Sequence, residues 1–273
     1  MGMRLTERDY DMLRFLAEQG VASAKQLTQK FFSSAAAFSS RISKLIQTGL
    51  IESVPLTTMK GFSQQAYFHC ATDLLGASRT DIWKYRIYRL GARFKKKWPS
   101  TLKLSDVKMW RHQLMVNELR LIFEKKFPGA IFLNDPQTTD EFKKYCWKGQ
   151  SPGSVLPVPD LTVRSKDRFI AIEIERNLKP EHEYYDRFWK YERSEFTHVI
   201  YYCESERIFK IAAKILYRCN RIAFARFGTI HEVFRPDIGW NKLEEFLSEV
   251  IPREQSILEK YKTAPTVAEA STS

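Results

Sequence analysis

The chain has 273 residues, of which 44% are hydrophobic and 14% aromatic, enough for one large or two ordinary domains that each bury a core. Its formal net charge is +12, and residues 1–100 hold 16 Lys and Arg against 7 Asp and Glu. A positive field concentrated in one part of the chain favours a polyanion as partner, nucleic acid before membrane.

No run approaches the length of a membrane span, and the opening residues Met1 to Arg8 lack the apolar core of a signal peptide. Cys70, Cys146, Cys203 and Cys219 are too scattered for a CxxC zinc pattern and too few for a disulfide scaffold, so reduced thiols are expected. These features predict a cytoplasmic protein that no membrane anchors.

The first hundred residues open with helical patterns. Thr6 and Asp9 mark a helix start, and Tyr10, Leu13, Phe15 and Leu16 form a stripe that stops at Gly20. Ser23 caps a short second helix through Phe32. A third begins at Ser33 or Ser34, with Phe38, Ile42, Leu45 and Ile46 at helical spacing. Its other face, Ser39, Ser40, Arg41, Ser43, Lys44 and Gln47, is small, polar and positive. Arg and Gln can reach base edges, and Ser and Lys can reach phosphates. Gly49 to Val54 then reads as a strand, Lys60-Gly61 as a turn, and Gln65 to His69 as the returning strand. Three helices and a hairpin predict a winged helix over residues 1–80. Winged helices also serve as protein-interaction modules, but the basic charge favours DNA.

Residues 81–104 read as a basic connecting segment. Over 81–98, Arg86, Arg89 and Arg93 alternate with Tyr85, Tyr88 and Trp98. The cations can follow a phosphate backbone while the aromatics cover apolar surface or stack on bases. The same residues also suit a connecting helix with solvated charges. Pro99 marks the boundary.

From Ser105 a long helix is expected to Lys126, carrying His112 and Glu118. Residues 131–133 form a strand, and Asp135 to Pro157 reads as a long loop or hairpin. Asp160 follows a Pro-Val-Pro run. Phe169 to Glu175 alternates strictly, so Ile170, Ile172 and Ile174 share one face and Phe169, Ala171, Glu173 and Glu175 the other. A neighbouring strand would bring Asp160 into the same space. Clustered carboxylates need water or a cation, so this face is either a solvated strand surface or a site. A helix over 181–193, a strand over 197–203, a helix over 205–217 and a strand from Ile222 follow, with closing helices over 240–262 and a polar, disordered tail over 263–273. The whole predicts a mixed fold, an amino-terminal winged helix-turn-helix before an α/β sheet with flanking helices over 105–262.

An opening helix, a strand ending in Pro-Asp, a strand bearing Glu-x-Glu and a covering helix resemble the restriction-endonuclease core of PD-(D/E)xK nucleases. Behind a winged helix, they resemble more particularly the replication-relaxation family of plasmid and phage-type proteins, over residues 5–230. The resemblance implies that Asp160 and Glu173 hold Mg2+ or Mn2+, with Glu118 matching an acidic residue that some members place on the opening helix. The position of the catalytic lysine is Glu175, which cannot stabilise a phosphorane charge. Lys179 or Lys190 would have to supply it. Two functions follow: a duplex-DNA-binding protein of a mobile element whose second domain is a divergent metal-dependent nuclease or an inactive descendant, or a non-enzymatic regulator of replication or transcription. Winged helices often dimerise on palindromic sites, which leaves a homodimer open, although no heptad run demands one.

Overall fold

The computed structural model describes residues 3–58, 85–95, 107–126, 128–142, 157–165, 168–218 and 225–229. The amino-terminal helices are α1 (Glu7–Gln19), α2 (Ala24–Phe31) and α3 (Ala35–Gln47). Each begins where its sequence signal stands. Thr6 and Asp9 form a capping box on α1, Ser23 and Gln26 form one on α2, and the Ser34 hydroxyl accepts the Ala37 N–H of α3. Their inward faces, including Leu13, Leu16, Leu27, Phe38, Ile42 and Leu45, make one apolar core.

A small antiparallel sheet closes this core, with β1 (Ala22–Ser23) and β2 (Ile51–Pro55) on either side of β3 (Arg86–Leu90). The central strand thus comes from the stretch expected to connect two domains, and its Ile87 and Leu90 are buried. A run that alternates cation and apolar residue suits a strand with one face covered. The returning strand expected over 65–69 lies outside the described residues. Gly91, just after β3, donates its N–H to the Leu50 carbonyl at 2.9 Å. A Cβ there would stand 2.1 Å from the Gly49 carbonyl oxygen, so the chain crossing requires glycine for lack of space.

The second sheet has five strands in the order β4 (Ile131–Leu133), β5 (Leu161–Ser165), β6 (Arg168–Glu175), β7 (Phe196–Cys203) and β8 (Ala225–Thr229). The first three are antiparallel and the last three parallel. Parallel neighbours need crossovers, supplied by α6 (Glu181–Glu192) and α7 (Glu206–Arg218). Two further helices precede them in the chain, α4 (Val107–Lys126) and α5 (Asp135–Phe142). The helix α5 occupies the start of the region expected as a loop. Asn134 supplies its start signal: the Gln137 N–H donates to the Asn134 side chain and the Asn134 N–H to the Gln137 side chain, each at 3.0 Å. The expected helices over 240–262 and the tail lie outside the described residues.

Strand β6 separates the two apolar layers as its alternation requires. Ile172 and Ile174 pack with Trp110, Leu114, Leu119 and Phe123 of α4, while Ala171 packs with Tyr184, Phe188 and Tyr191 of α6. Helix α4 is buried almost all round. Its apolar side lies on the five-stranded sheet, and its other side meets the amino-terminal unit, whose Val21, Leu56 and Ile87 join the same core.

The contact with the amino-terminal helices is polar. Asn117 donates to the Val21 carbonyl at 2.6 Å, Gln26 donates to the Leu114 carbonyl at 2.8 Å and to Glu118 at 3.2 Å, and Lys25 pairs with Glu118 at 2.9 Å. Arg120 reaches Glu18 at 3.1 Å, and Lys30 pairs with Glu124. Buried polar groups are tolerated when each finds a partner.

Replacing Asn117 by Ala is expected to strip the Val21 carbonyl of its donor and to lower the unfolding free energy by about 1–3 kcal/mol, read by urea denaturation. Gly91→Ala is expected to cost about 3 kcal/mol or more in the same measurement, because backbone rather than a flexible side chain meets the added methyl.

Candidate functional site: a buried carboxylate cluster

The register of β5 and β6 sets Leu161 opposite Ile172, so one further step places Asp160 beside Glu173. Asp160 is fixed at both oxygens: Oδ2 accepts the Ile174 backbone N–H at 2.7 Å, and Oδ1 lies 2.9 Å from His112 Nε2. His112 comes from α4. Burial works to raise the Asp160 pKa, but His112, the Ile174 N–H and Arg187 outweigh it and hold the carboxyl below its ordinary value. For His112, burial opposes the charge and Asp160 favours it, with a net rise.

Glu173 and Glu175 point to the other side of β6, towards α6. Both are buried, at 3% and 1% exposure, which excludes the reading of this face as a solvated strand surface. Their partners come from α6 and the turn before it. Arg187 donates to Glu173 at 2.8 Å and to Glu175 at 3.3 Å, the Tyr191 hydroxyl donates to Glu173, and Lys179 pairs with Glu175. Burial pushes Glu173 up to about 7. Arg187 and Tyr191 resist that rise, and the charge of Asp160 adds to it.

Arg187 is the residue that sequence reasoning missed. The helical spacing of Tyr184, Phe188 and Tyr191 marks the inward face of α6, and Arg187, three residues after the first and four before the last, falls on that face. A cation inside an apolar stripe signals a buried anion opposite it.

Of the expected site residues, Asp160, Glu173, Glu175 and Lys179 are brought together. Lys190 joins them at the mouth. A cavity of about 310 Å3 is lined by Glu173, Lys179, Arg187 and Lys190 among others. Glu118 is not part of this group. It lies on a different face of α4 from His112, since six residues at 3.6 per turn leave the two side chains about 120° apart, and Lys25 and Gln26 hold it.

The oxygens of Asp160 and Glu173 are thus occupied by protein donors. Three carboxyl groups face three basic groups, His112, Arg187 and Lys179. Among the described residues, no group of three His, Cys, Asp or Glu is arranged to hold a metal ion. A divalent ion would have to displace Arg187 and His112 or leave the cluster with two surplus positive charges. The donor set fits protein cations better than a hard metal.

On the amino-terminal unit, Ser39, Ser40, Ser43, Lys44 and Gln47 are exposed along α3 as expected. Arg41 is not available with them. Its Nε donates to Asp9 at 2.9 Å and its Nη2 to both Asp9 and the Arg4 carbonyl. Burial raises the Asp9 pKa, yet Arg41 and Thr6 bring the carboxyl down to about 2. Arg41 therefore ties α3 to α1. Arg86 donates to Ser53 at 2.6 Å and Arg89 pairs with Glu52 at 2.8 Å, both across the β2–β3 ladder. Lys60 and the side chain of Arg93 lie outside the described residues. Cys203 is buried, and burial followed by Glu175 pushes its thiol up to about 12, away from the thiolate. Cys70, Cys146 and Cys219 lie outside the described residues. No helix among the described residues is long and apolar enough to cross a membrane.

Removing the shared cation is expected to be costly: Arg187→Met leaves two buried carboxylates without it and should lower the unfolding free energy by about 3–5 kcal/mol. The pH dependence has a definite sign. Glu173 titrates at about 7 when folded against an ordinary 4.5, so the folded state holds the extra proton and stability falls as pH rises from 4.5 to 7, by about 3 kcal/mol. His112, raised above 6.5, continues the fall at higher pH. Asp160, lowered from 3.8, adds stability that is lost only on acidification below that value. Urea midpoints across this range are expected to flatten between pH 4.5 and 7 in Glu173→Gln.

A search of curated proteins found no match to the chain. A family model described as replication-relaxation matches residues 13–204. The match runs from α1 through the carboxylate cluster to the end of β7, and the chain belongs to the replication-relaxation family.

Proposed function

We propose that the protein is a replication-associated DNA-binding protein of a mobile element, in which the amino-terminal unit is a winged helix that grips duplex DNA. In this reading the sheet domain is an inactive relative of the restriction-endonuclease core. The family match supports the replication context. The exposed face of α3 supports the DNA reading: Ser39, Ser40, Ser43, Lys44 and Gln47 point outward from a helix whose opposite side is packed on α1 and α2. Serine and lysine suit phosphate oxygens, and glutamine suits an adenine edge. The element order of the sheet domain, with antiparallel strands followed by a parallel crossover, supports kinship with the nuclease core.

One observation carries the non-catalytic reading. Arg187 and Tyr191 hold both oxygens of Glu173, and His112 with the Ile174 N–H hold those of Asp160. The carboxylates that would carry a metal are committed to a charge-balanced core. Their role in this reading is to fasten α4 and α6 to opposite faces of β6.

Fluorescence anisotropy with a labelled duplex tests the first part. Lys44→Ala is expected to weaken binding evenly across sequences and to reduce the salt slope by about one. Gln47→Ala is expected to relax preference at one base position at a cost of about 1–3 kcal/mol. Arg41→Ala should act instead through stability, since it releases Asp9. For the second part, supercoiled plasmid incubated with the protein and Mg2+ or Mn2+ is expected to stay supercoiled. Nicking that disappears in Asp160→Asn would show a working nuclease and overturn the inactive reading without touching the DNA reading.

A further inference from the structure

Two cations of the amino-terminal unit take no part in its core. Arg4 and Arg8 are both exposed. Among the described residues neither pairs with a carboxylate, whereas Arg14 is met by Asp11, Arg41 by Asp9 and Arg89 by Glu52. Both are nevertheless fixed in place. The Arg8 guanidinium lies 4.5 Å from the centre of the Phe32 ring. Phe32 ends α2, and its ring packs edge-on against Phe38 of α3 with centres 5.5 Å apart. Arg4 is held through its backbone, where its carbonyl accepts from Arg41 Nη2 at 3.0 Å. The segment before α1 is thereby tied to α3 at Arg41, three residues before Lys44.

A ring attracts a guanidinium through its charge and takes none of its N–H donors in a hydrogen bond. Arg8 is therefore held without being neutralised. That combination suits a phosphodiester, because planar N–H donors match phosphate oxygens and the rotamer freedom that an unrestrained arginine loses on binding is already given up. The nearby acids do not oppose it strongly. Asp9 is taken up by Arg41 and Asp11 by Arg14, and Glu7 stands about 100° round α1 from Arg8. The exposed residues that lead into α3 beside Phe32 are Ser33, Ser34, Ala35 and Ala36, all too short to keep a backbone at a distance.

We infer that Arg4 and Arg8 form a second contact with the phosphate backbone of duplex DNA, beside the face of α3, with Arg8 at the turn between α2 and α3 and Arg4 alongside Arg41. The inference rests on the reading of α3 as the helix that meets the duplex and adds the cations that flank it. Arg41 touches no DNA in this arrangement. It is the residue that positions Arg4.

Anisotropy titrations of a labelled duplex with the full chain, repeated over a series of KCl concentrations, test this. Arg8→Ala is expected to weaken binding about tenfold at low salt and to lower the salt slope by about one. Arg4→Ala should act in the same direction, and the double variant should lower the slope by about two, evenly across sequences. Phe32→Leu keeps every charge and removes the ring, so it should leave the slope unchanged and shrink the effect of a further Arg8→Ala. Urea midpoints equal to that of the intact protein are expected for the Arg4 and Arg8 variants. If Lys44→Ala weakens duplex binding while Arg4→Ala and Arg8→Ala leave affinity and slope unchanged, the inference fails and the DNA reading stands. An intact chain without salt-sensitive duplex binding overturns both. A lower affinity in Arg8→Ala with an unchanged slope and a lowered urea midpoint would assign Arg8 to the fold and overturn its role as a phosphate contact.

Discussion

Helix α4 lies between two sheets, and the burial of both its sides sets the rest of the molecule. Trp110, Leu114, Leu119 and Phe123 lie on the five-stranded sheet, while Gln113, Asn117, Glu118 and Arg120 meet α1 and α2. The apolar side gains from removal of water. The polar side contributes little net energy per bond but makes other registers expensive, because a shifted helix would leave several buried donors without acceptors. The amino-terminal unit is therefore held in a fixed register against α4. The strand β3 has the same effect, because residues that follow the helical unit in sequence return to its sheet before the chain enters α4.

The same helix carries His112 to Asp160, so the carboxylate cluster and the face of α3 are referred to one rigid element. Within the cluster, electrostatics decide between alternatives. A buried carboxylate is held by a metal, by protein cations or by its own proton. Here Arg187 serves two carboxylates at once, and its planar fork suits that role better than a lysine would. Glu173, buried and beside the charge of Asp160, is pushed towards holding a proton. Glu175 adds a third negative charge that needs a partner, and Lys179 supplies it.

Much of the fold was legible because period and capping are local. The three amino-terminal helices, their Ser and Thr caps, the long α4, the split of β6 into an isoleucine face and a glutamate face, and the inward stripe of α6 all follow from neighbours within one or two turns. The convergence of Asp160, Glu173, Glu175, Lys179 and Lys190 was also foreseeable once β5 and β6 were paired, since alternation and a shared turn confine them to one end of the sheet.

Other features depended on partners nearly a hundred residues away or on a competition that no single stretch can display. Arg41 looked like a DNA contact because its neighbours are exposed, but buried Asp9 is a stronger attractor than solvent. Glu118 looked like a metal ligand, and Lys25 with Gln26 hold it on another face of the helix. Residues 86–90 alternate in a way that suits a strand or one side of a connecting helix, and only the open edges of β1 and β2 select the strand. The sequence by itself determined where helices start and which faces are apolar, because those depend on local backbone hydrogen bonds and spacing. The tertiary structure alone decided which charges neutralise which, because Coulomb pairing in a low-dielectric interior depends on distances that the chain sets only when it is folded.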